Sequence, residues 1–346
     1  MPSSIRVSGT KLGGGLRLSA ERRGYAPSDS PADGRRAPDG ALLPASPQDP
    51  KARAKPALEA ARKSRPWYLD VWVQIVRRKP LGTVGGAIVV LMLAGAVLAD
   101  LIAPYGYAQT SLRERFVAVS AEHWLGTDQL GRDLLTRLLY GARVSLYVGF
   151  GAVALGSTLA TLVGVASGYF GGRFDLLLQR AVDAWMAFPP LLLLMSIMSL
   201  LGPSALNITV VLGLAFGVQN SRIVRAVALS LKEHTFVESA RALGSGHVRV
   251  TVGHILPNVL PTIIVVATTG LSTVILTEAS LSFLGLGVPP PYPTWGGMLS
   301  LAGLDHMYQA PWLAVWPAVA LSLAVFGFNM LGDALRDLLD PRLKGG

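Results

Sequence analysis

Residue types that bind metals or act as nucleophiles are few and scattered in this sequence. Cysteine is absent, which excludes disulfides, thiolate metal sites and a cysteine nucleophile. The Gly-x-x-x-x-Gly-Lys-Ser/Thr loop that binds nucleotide phosphates is also absent. The histidines lie in separate polar segments without metal-ligand spacing, at His123, His234, His247, His254 and His306. This pattern predicts no catalytic residue, no metal and no cofactor, so an enzyme is not expected.

Glu278 is unusual because its carboxylate stands inside a long apolar run. An ionised group at the centre of a bilayer costs about 2.5–3.5 kcal/mol on insertion scales, so such a residue usually faces the protein interior. Two alternatives stay open for Glu278: it lines a translocation path, or it forms hydrogen bonds within the helix bundle or across a subunit interface. Three other charged residues, Asp175, Arg180 and Asp183, lie three to five positions apart and indicate a local ion-pair patch.

A polar segment between two apolar runs has the pattern of a short amphipathic helix. Phe236, Ala240 and Leu243 fall on one stripe of that helix, and Val237 borders the stripe. Gly244 permits the tight turn that ends it. From the pattern alone, this helix either packs on its own bundle as an ordinary connector or contacts another protein.

The surrounding elements are long apolar runs. Hydrophobic residues make up 51% of the 346 residues, charged residues only 15%, and the mean hydropathy is +0.45. A helix needs about twenty apolar residues to cross a bilayer. Runs of that length occupy residues 82–103, 144–169, 180–202, 206–227, 259–284 and 311–335. We predict an all-α membrane protein with six transmembrane helices and a short cytoplasmic helix between helices 4 and 5.

The first part of the chain has a different composition. Residues 1–65 contain thirteen Lys and Arg against six Asp and Glu, with many Pro, Gly and Ser, which predicts a disordered basic cytoplasmic tail. Residues 66–80 combine aromatic bulk with three terminal cations and are predicted to form an interfacial amphipathic helix on membrane lipid. Residues 81–340 form the predicted transmembrane domain. The basic tail is not followed by a nucleic-acid-binding module, so nucleic acid is not an expected partner.

The distribution of basic residues predicts the orientation in the membrane. Lys and Arg are concentrated before the first run and after the sixth, and three lie in the segment 228–258. The exception is segment 104–143, whose five Arg are partly offset by four Asp and Glu. Because Lys and Arg favour the cytoplasmic side, both termini and segment 228–258 are predicted to be cytoplasmic. Segments 104–143 and 285–310 are then external.

The polar segment also resembles the cytoplasmic-loop signature of bacterial ABC importer permeases. That signature is written Glu-Ala-Ala, three residues, Gly, nine residues, Ile, one residue, Leu-Pro. Two positions depart from it, because Ser239 replaces the first Ala and His254 stands in place of Ile. The sequence matches the signature at Glu238, Ala240, Gly244, Leu256 and Pro257.

Three further blocks resemble one particular type of permease. His123–Asp133 is similar to the block H-x-L-G-T-D-x-x-G-R-D, and residues 140–146 are similar to Y-G-A-R-x-S-L. Glu278–Gly287 also resembles a block of the same type. All three are found in the C-type permease subunit of dipeptide, oligopeptide and nickel importers, whose loop signature often ends with the His-Ile-Leu-Pro-Asn seen at 254–258.

The resemblance implies an inner-membrane permease subunit of an ATP-driven importer of dipeptides or oligopeptides. Its implied partners are a second homologous permease subunit, two cytoplasmic ATPase subunits and an extracytoplasmic substrate-binding protein. In such permeases the loop helix docks on the ATPase. Glu238 and Arg241 would then supply charged contacts, Ala240 close approach and Gly244 the turn.

Two alternatives to peptide import stay open. The same architecture could carry nickel or another small solute. An ion-coupled secondary transporter would require ion-coordinating or proton-relay groups at mid-membrane, and Glu278 alone offers one.

Overall fold

The computed structural model describes residues 80–300 and 305–339. The predicted basic tail, 1–65, and all of the predicted interfacial helix except its last residue lie outside these ranges and stay predictions. Within the described ranges the chain is helical. Its one β-type contact there is an isolated antiparallel bridge between Thr127 and Asp133.

Nine helices carry the architecture of the described ranges. In chain order they are α1 (Pro80–Val97), α2 (Leu134–Phe170), α3 (Gly172–Met186), α4 (Pro190–Leu201), α5 (Ala205–Lys232), α6 (Thr235–Ala242), α7 (Leu256–Phe283), α8 (Trp295–Leu299) and α9 (Trp312–Leu339). Shorter helical pieces lie at Ala99–Ile102, Leu112–Glu114 and His247–Val250, and a π-helical turn lies at Thr251–Ile255.

The predicted membrane crossings correspond to these helices. In the described part of the chain, α1, α2, α5, α7 with its preceding turns, and α9 are each long and apolar enough to cross a bilayer. The bent pair α3 and α4 gives the sixth crossing when it is counted as one span. Two predicted starts were wrong by about ten residues, because α2 begins at Leu134 rather than 144 and the fifth crossing begins at His247 rather than 259.

The third crossing is sharply bent at a proline pair. The angle between α3 and α4 is 88°, and the break lies at Ala187–Pro189. Proline lacks an amide hydrogen and disfavours helical backbone in the residue before it, so a helix cannot continue through Phe188-Pro189-Pro190. The kink expected from this pair is therefore confirmed, and it divides an amphipathic half from an apolar half.

The most extensive helix contact joins α2 to α5. Glycines of α2 allow the two backbones to approach closely, because a Cβ at Gly156 would lie 2.6 Å from the Gly213 carbonyl oxygen. A Cβ at Gly164 would lie 2.6 Å from the Ser221 oxygen. Close approach at small residues gains dispersion contacts, which drive helix association in lipid. The glycines therefore set how α2 and α5 pack.

Ion pairs fasten α3 to α5. Arg225 Nε donates to Asp175 Oδ1 over 2.6 Å, and Arg222 pairs with Asp183. The ion-pair patch predicted among Asp175, Arg180 and Asp183 contains one such pair, between Arg180 and Asp183, at 3.6 Å. The ion-pair patch thus joins two helices, because α3 lies alongside the basic end of α5.

A polar cluster begins α2. Asp133 caps the helix by accepting the Thr136 amide hydrogen at 2.8 Å, and its other carboxylate oxygen lies 3.0 Å from His123 Nδ1. Both side chains are almost fully buried. Because the cap satisfies a backbone donor that has no partner in the helix, it fixes where α2 starts.

We predict that Asp133→Ala lowers the free energy of unfolding by at least about 1–2 kcal/mol, since it removes a buried cap and takes away the partner of His123 Nδ1. Asp133→Asn keeps an acceptor for the cap and should lose less. Melting of the detergent-purified variants measures both. Equal melting temperatures for Asp133→Ala and wild type would contradict the role of the cap.

Candidate functional site

The sequence-predicted loop residues gather at one end of the bundle. Glu238, Ala240 and Arg241 lie on α6, Gly244 follows that helix, and Leu256 and Pro257 begin α7. One side of α6 is anchored, because Val237 and Ala240 are buried in a cluster with residues of α2, α5 and α7. The helix is thus part of the packed bundle.

The other side of α6 is open. The buried stripe passes through Val237 and Ala240, so the expected stripe of Phe236, Ala240 and Leu243 was only partly right. Phe236 is 39% exposed and Leu243 87% exposed, and Glu238 is also exposed. Val237 is buried against the bundle, so the buried face of α6 is turned away from Phe236 and Leu243. These two apolar side chains therefore lie on the surface beside the Glu238 carboxylate, a composition typical of an interaction site.

The turn after α6 has the geometry of a Schellman motif. Gly244 adopts a φ of +82°, and its amide donates to the Arg241 carbonyl at 2.9 Å. The Ser245 amide donates to the Ala240 carbonyl at 3.0 Å. Residues with a Cβ rarely adopt this conformation, so Gly244 determines the end of α6.

Tyr169 connects this loop to the last turn of α2. Its ring is 2% exposed and lies 5.2 Å from the Arg241 guanidinium carbon, a cation–π arrangement. Its hydroxyl oxygen lies 2.9 Å from His247 Nδ1. Tyr169 therefore contacts the chain on both sides of the Gly244 turn. Sequence reasoning missed it, because an aromatic residue at the end of an apolar run gives no signal of such contacts.

Leu256 and Pro257 are the first residues of α7, as expected for a proline in the first helical turn. The crossing itself starts earlier than expected, because helical structure already begins at His247. The π-helical turn before Leu256 explains how the helix continues. The Leu256 amide donates to the Thr251 carbonyl, five residues back, and this wider turn accommodates the proline ring.

Glu278 lies in α7, apart from the loop. Its side chain is fully buried, with 0% exposure. Ser145 Oγ donates to one carboxylate oxygen at 3.1 Å, and Ser282 Oγ donates to the other at 2.6 Å. The Trp295 amide in turn lies 3.4 Å from Ser145 Oγ. These contacts are those of the alternative in which Glu278 is hydrogen-bonded within the bundle, and a place on the path stays a prediction.

Neither end of the bundle shows a metal centre. Across residues 80–300 and 305–339, His, Asp and Glu side chains form no group of three able to hold an ion. The chemistry available at the loop is therefore that of contact, through exposed apolar groups, Glu238 and the stacked Arg241.

Comparison with known families agrees with this geometry. The family described as "Binding-protein-dependent transport system inner membrane component" matches residues 160–345, which include α5, α6, α7 and α9. The chain belongs to this family. A second family, described as "N-terminal TM domain of oligopeptide transport permease C", matches residues 66–118. The predicted all-α membrane fold and the predicted permease family are confirmed.

Two permeases illustrate how far the similarity extends. The chain is 41% identical to a dipeptide transport system permease protein of Alkalihalophilus pseudofirmus over 295 residues, covering 85% of this chain and 96% of that protein. It is 39% identical to a glutathione transport system permease protein of Escherichia coli over 296 residues, covering 84% of this chain and 96% of that protein. The similarity therefore includes nearly the whole length of both relatives.

We predict that Tyr169 keeps the α6 loop closed on the bundle. Tyr169→Phe removes a hydrogen bond of about 1 kcal/mol and should raise amide hydrogen exchange in residues 234–246 by about fivefold. Tyr169→Leu also loses the cation–π contact and should raise exchange by about twentyfold or more. Hydrogen-exchange mass spectrometry measures both effects.

Tyr140→Phe is the matched control for Tyr169→Phe. Tyr140 lies near the opposite end of α2 and donates to Asp100, so its loss should leave exchange in 234–246 unchanged. Wild-type exchange rates in both Tyr169 variants would show that the loop is held by other contacts.

Proposed function

We propose that this chain is one of two homologous permease subunits in an ATP-driven importer of short peptides. The dipeptide and glutathione permeases that it matches support this class of cargo. The observation that carries the proposal is the form of α6, which is anchored on one side and exposes apolar and charged groups on the other. ATP hydrolysis belongs to separate subunits, since the chain lacks a phosphate-binding loop.

In this proposal α6 is the docking element for a cytoplasmic ATPase. Phe236 and Leu243 offer apolar side chains to pockets on the partner, and Glu238 offers a charge between them. The buried Ala240 keeps α6 close to the bundle. Arg241 acts less as a contact with the ATPase than as a contact with Tyr169, which holds the helix in place.

The anchoring of α6 gives a route from the ATPase to the membrane. Val237 packs in one cluster with Tyr169 of α2, Val224 of α5 and Val259 of α7. Because packed side chains resist separation, a displaced α6 moves the ends of these three helices with it. Two ATPase subunits that close on ATP would thereby shift the permease pair between two conformations, through differential contacts in the two states.

Leu256 and Pro257 mark the point where this movement reaches the membrane. The π-helical turn ahead of them is the irregular step in an otherwise continuous helix. Such turns are frequent at functional positions, because their wider hydrogen bonding is easily converted to the α form. We assign it the role of a joint between the loop and α7.

The two ends of the bundle face different partners. The α6 end is assigned to the cytoplasm, together with both chain termini. The opposite end, formed by residues 98–133, 284–300 and 305–311, is assigned to the outside, where a substrate-binding protein would deliver the peptide. Exposed apolar faces of the crossing helices contact lipid or the second permease subunit.

Glu278 is assigned an indirect place on the path. Its carboxylate accepts from Ser145 and Ser282 and so holds α2 and α7 together below the external end. Ser282 in turn reaches a cavity at that end. Glu278 would thus fix the position of Ser282 in the wall of this cavity without lining the cavity itself.

We predict that substitutions in the α6 loop uncouple transport from ATP hydrolysis. Gly244→Val places a β-branched residue at a φ of +82° and should abolish most stimulation of ATPase activity by loaded binding protein, whereas Gly244→Asn tolerates this φ and should retain it. Glu238→Lys should impair stimulation by reversing a contact charge. Proteoliposomes that contain the full importer provide the measurement.

The control for Glu238→Lys is Glu238→Gln, which keeps the size of the exposed side chain and does not reverse its charge. It should retain clearly more stimulation than Glu238→Lys. Full stimulation and full peptide uptake in both Gly244→Val and Glu238→Lys would reduce α6 to a connector.

We also predict the orientation, using the natural absence of cysteine as a clean background. A cysteine at Glu122 should react with a membrane-impermeant thiol reagent added to intact cells. A cysteine at Leu243, which is 87% exposed, should react only after the cells are opened, in cells that produce the permease pair without the ATPases that would cover this position. Labelling of position 243 from outside would reverse the assigned orientation.

A further inference from the structure

A cavity of about 420 Å³ lies at the end of the bundle opposite α6. Three separate segments form its wall: the start of α2 with the preceding loop, Pro203 between α4 and α5, and the chain from Ser282 to Ser300. Its volume falls in the range of small-molecule sites in proteins.

The polar part of this wall is cationic. Arg132, Arg137 and Gln129 all line the cavity. No acidic side chain from the described residues lines it. Asp128 pairs with both arginines, with Oδ2 2.6 Å from Arg132 Nε and 3.5 Å from Arg137 Nε. Its side chain lines a smaller adjoining space that shares Arg132 and Arg137 with the cavity, so the guanidinium groups lie at the boundary between the two.

The charges of this cluster do not cancel. Arg132, Arg137 and Asp128 are each nearly buried, with side chains 12%, 10% and 5% exposed. Arg137 also donates to the Tyr107 carbonyl at 3.2 Å, which is a neutral partner. Two guanidinium groups thus share one carboxylate. Because buried charges are stable when they are paired, the cluster favours an anion on its open side.

Most of the remaining wall is apolar. Pro203, Val288, Pro289, Pro293 and Tyr292 line it, and hydroxyl side chains contribute at Ser282, Thr294 and Ser300. Glu278 approaches from behind through Ser282, but it is fully buried and presents no oxygen to the cavity. The site is therefore shaped for a small molecule with a carboxylate at one end and a modest apolar body.

We propose that this cavity binds the carboxylate end of a short peptide, with Arg132 and Arg137 as the charged wall. The proposal rests on the proposed function, because it makes the peptide cargo the ligand. The transport path of the importer is shared between two permease subunits. The proposal places one cargo-binding site entirely within this subunit, at the external entrance of that path. A guanidinium group is suited to this role because its planar donors match a carboxylate.

Direct binding tests the proposal. The permease pair with its ATPases is placed in lipid nanodiscs without the binding protein and titrated calorimetrically with dialanine and with dialanine amide. We expect dialanine to bind at least about tenfold more tightly, since the amide lacks the carboxylate that the arginines would pair with. Added salt should weaken dialanine binding.

Gln129 provides a mild variant, because its side chain lines the cavity without being part of the arginine cluster. Gln129→Glu places a negative charge in the wall and should weaken dialanine binding by about tenfold. The neutral Gln129→Met is the matched control and should bind dialanine within a few-fold of wild type. Equal affinities for dialanine and its amide, or no saturable binding of dialanine, would overturn the proposal.

Three further outcomes distinguish this proposal from a contact with the binding protein and from the proposed function itself. If Gln129→Glu lowers ATPase stimulation by the binding protein and leaves dialanine affinity unchanged, the cavity receives an acidic side chain of that partner and the proposal fails. Uptake of dialanine by cells with the complete importer tests the proposed function separately. Uptake without direct binding rejects only the cavity, whereas failure to import dialanine and longer peptides rejects the peptide cargo.

Discussion

The close contact between α2 and α5 determines where every site of this protein lies. Gly156 and Gly164 allow the two backbones to meet, and no larger residue would permit the same spacing. At one end of the pair, Tyr169 lies in the last turn of α2, and α6 follows shortly after α5. At the other end, Arg137 lies in the first turn of α2, and Pro203 precedes α5. The α6 loop and the cavity lined by Arg132 and Arg137 therefore lie at the two ends of one helix pair.

A second rule concerns the carboxylates of the bundle, several of which join separate elements. Asp133 joins His123 to the start of α2, Glu278 joins α2 to α7, and Asp175 joins α3 to α5. In an apolar environment an unpaired polar group is costly, so these pairs specify which helices meet. In the arginine cluster at the cavity, Arg132 and Arg137 share the single carboxylate of Asp128, which leaves one positive charge in excess. This excess charge is the basis for proposing an anionic ligand.

The sequence predicted the helical class, the approximate crossings and the position of the loop helix, because long apolar runs and glycine-bounded polar segments are local signals. It predicted the bend at Pro189 for the same reason. It could not predict that α2 starts at Leu134, since Arg137 and Arg143 make the first turns look like a polar loop until their partners are known. Tyr169 and the cavity were also beyond sequence reasoning, because both depend on residues that are distant along the chain.

The length of α2 has a mechanical consequence. At 1.5 Å per residue, its 37 residues extend for about 55 Å, well beyond the roughly 30 Å of hydrocarbon in a bilayer. Arg137 and Tyr169 thus lie on the same helix, about 48 Å apart along its axis. Because α2 is one continuous helix, a tilt at its loop end also displaces the Arg137 end. The length of the helix therefore acts as a lever between the α6 loop and the cavity.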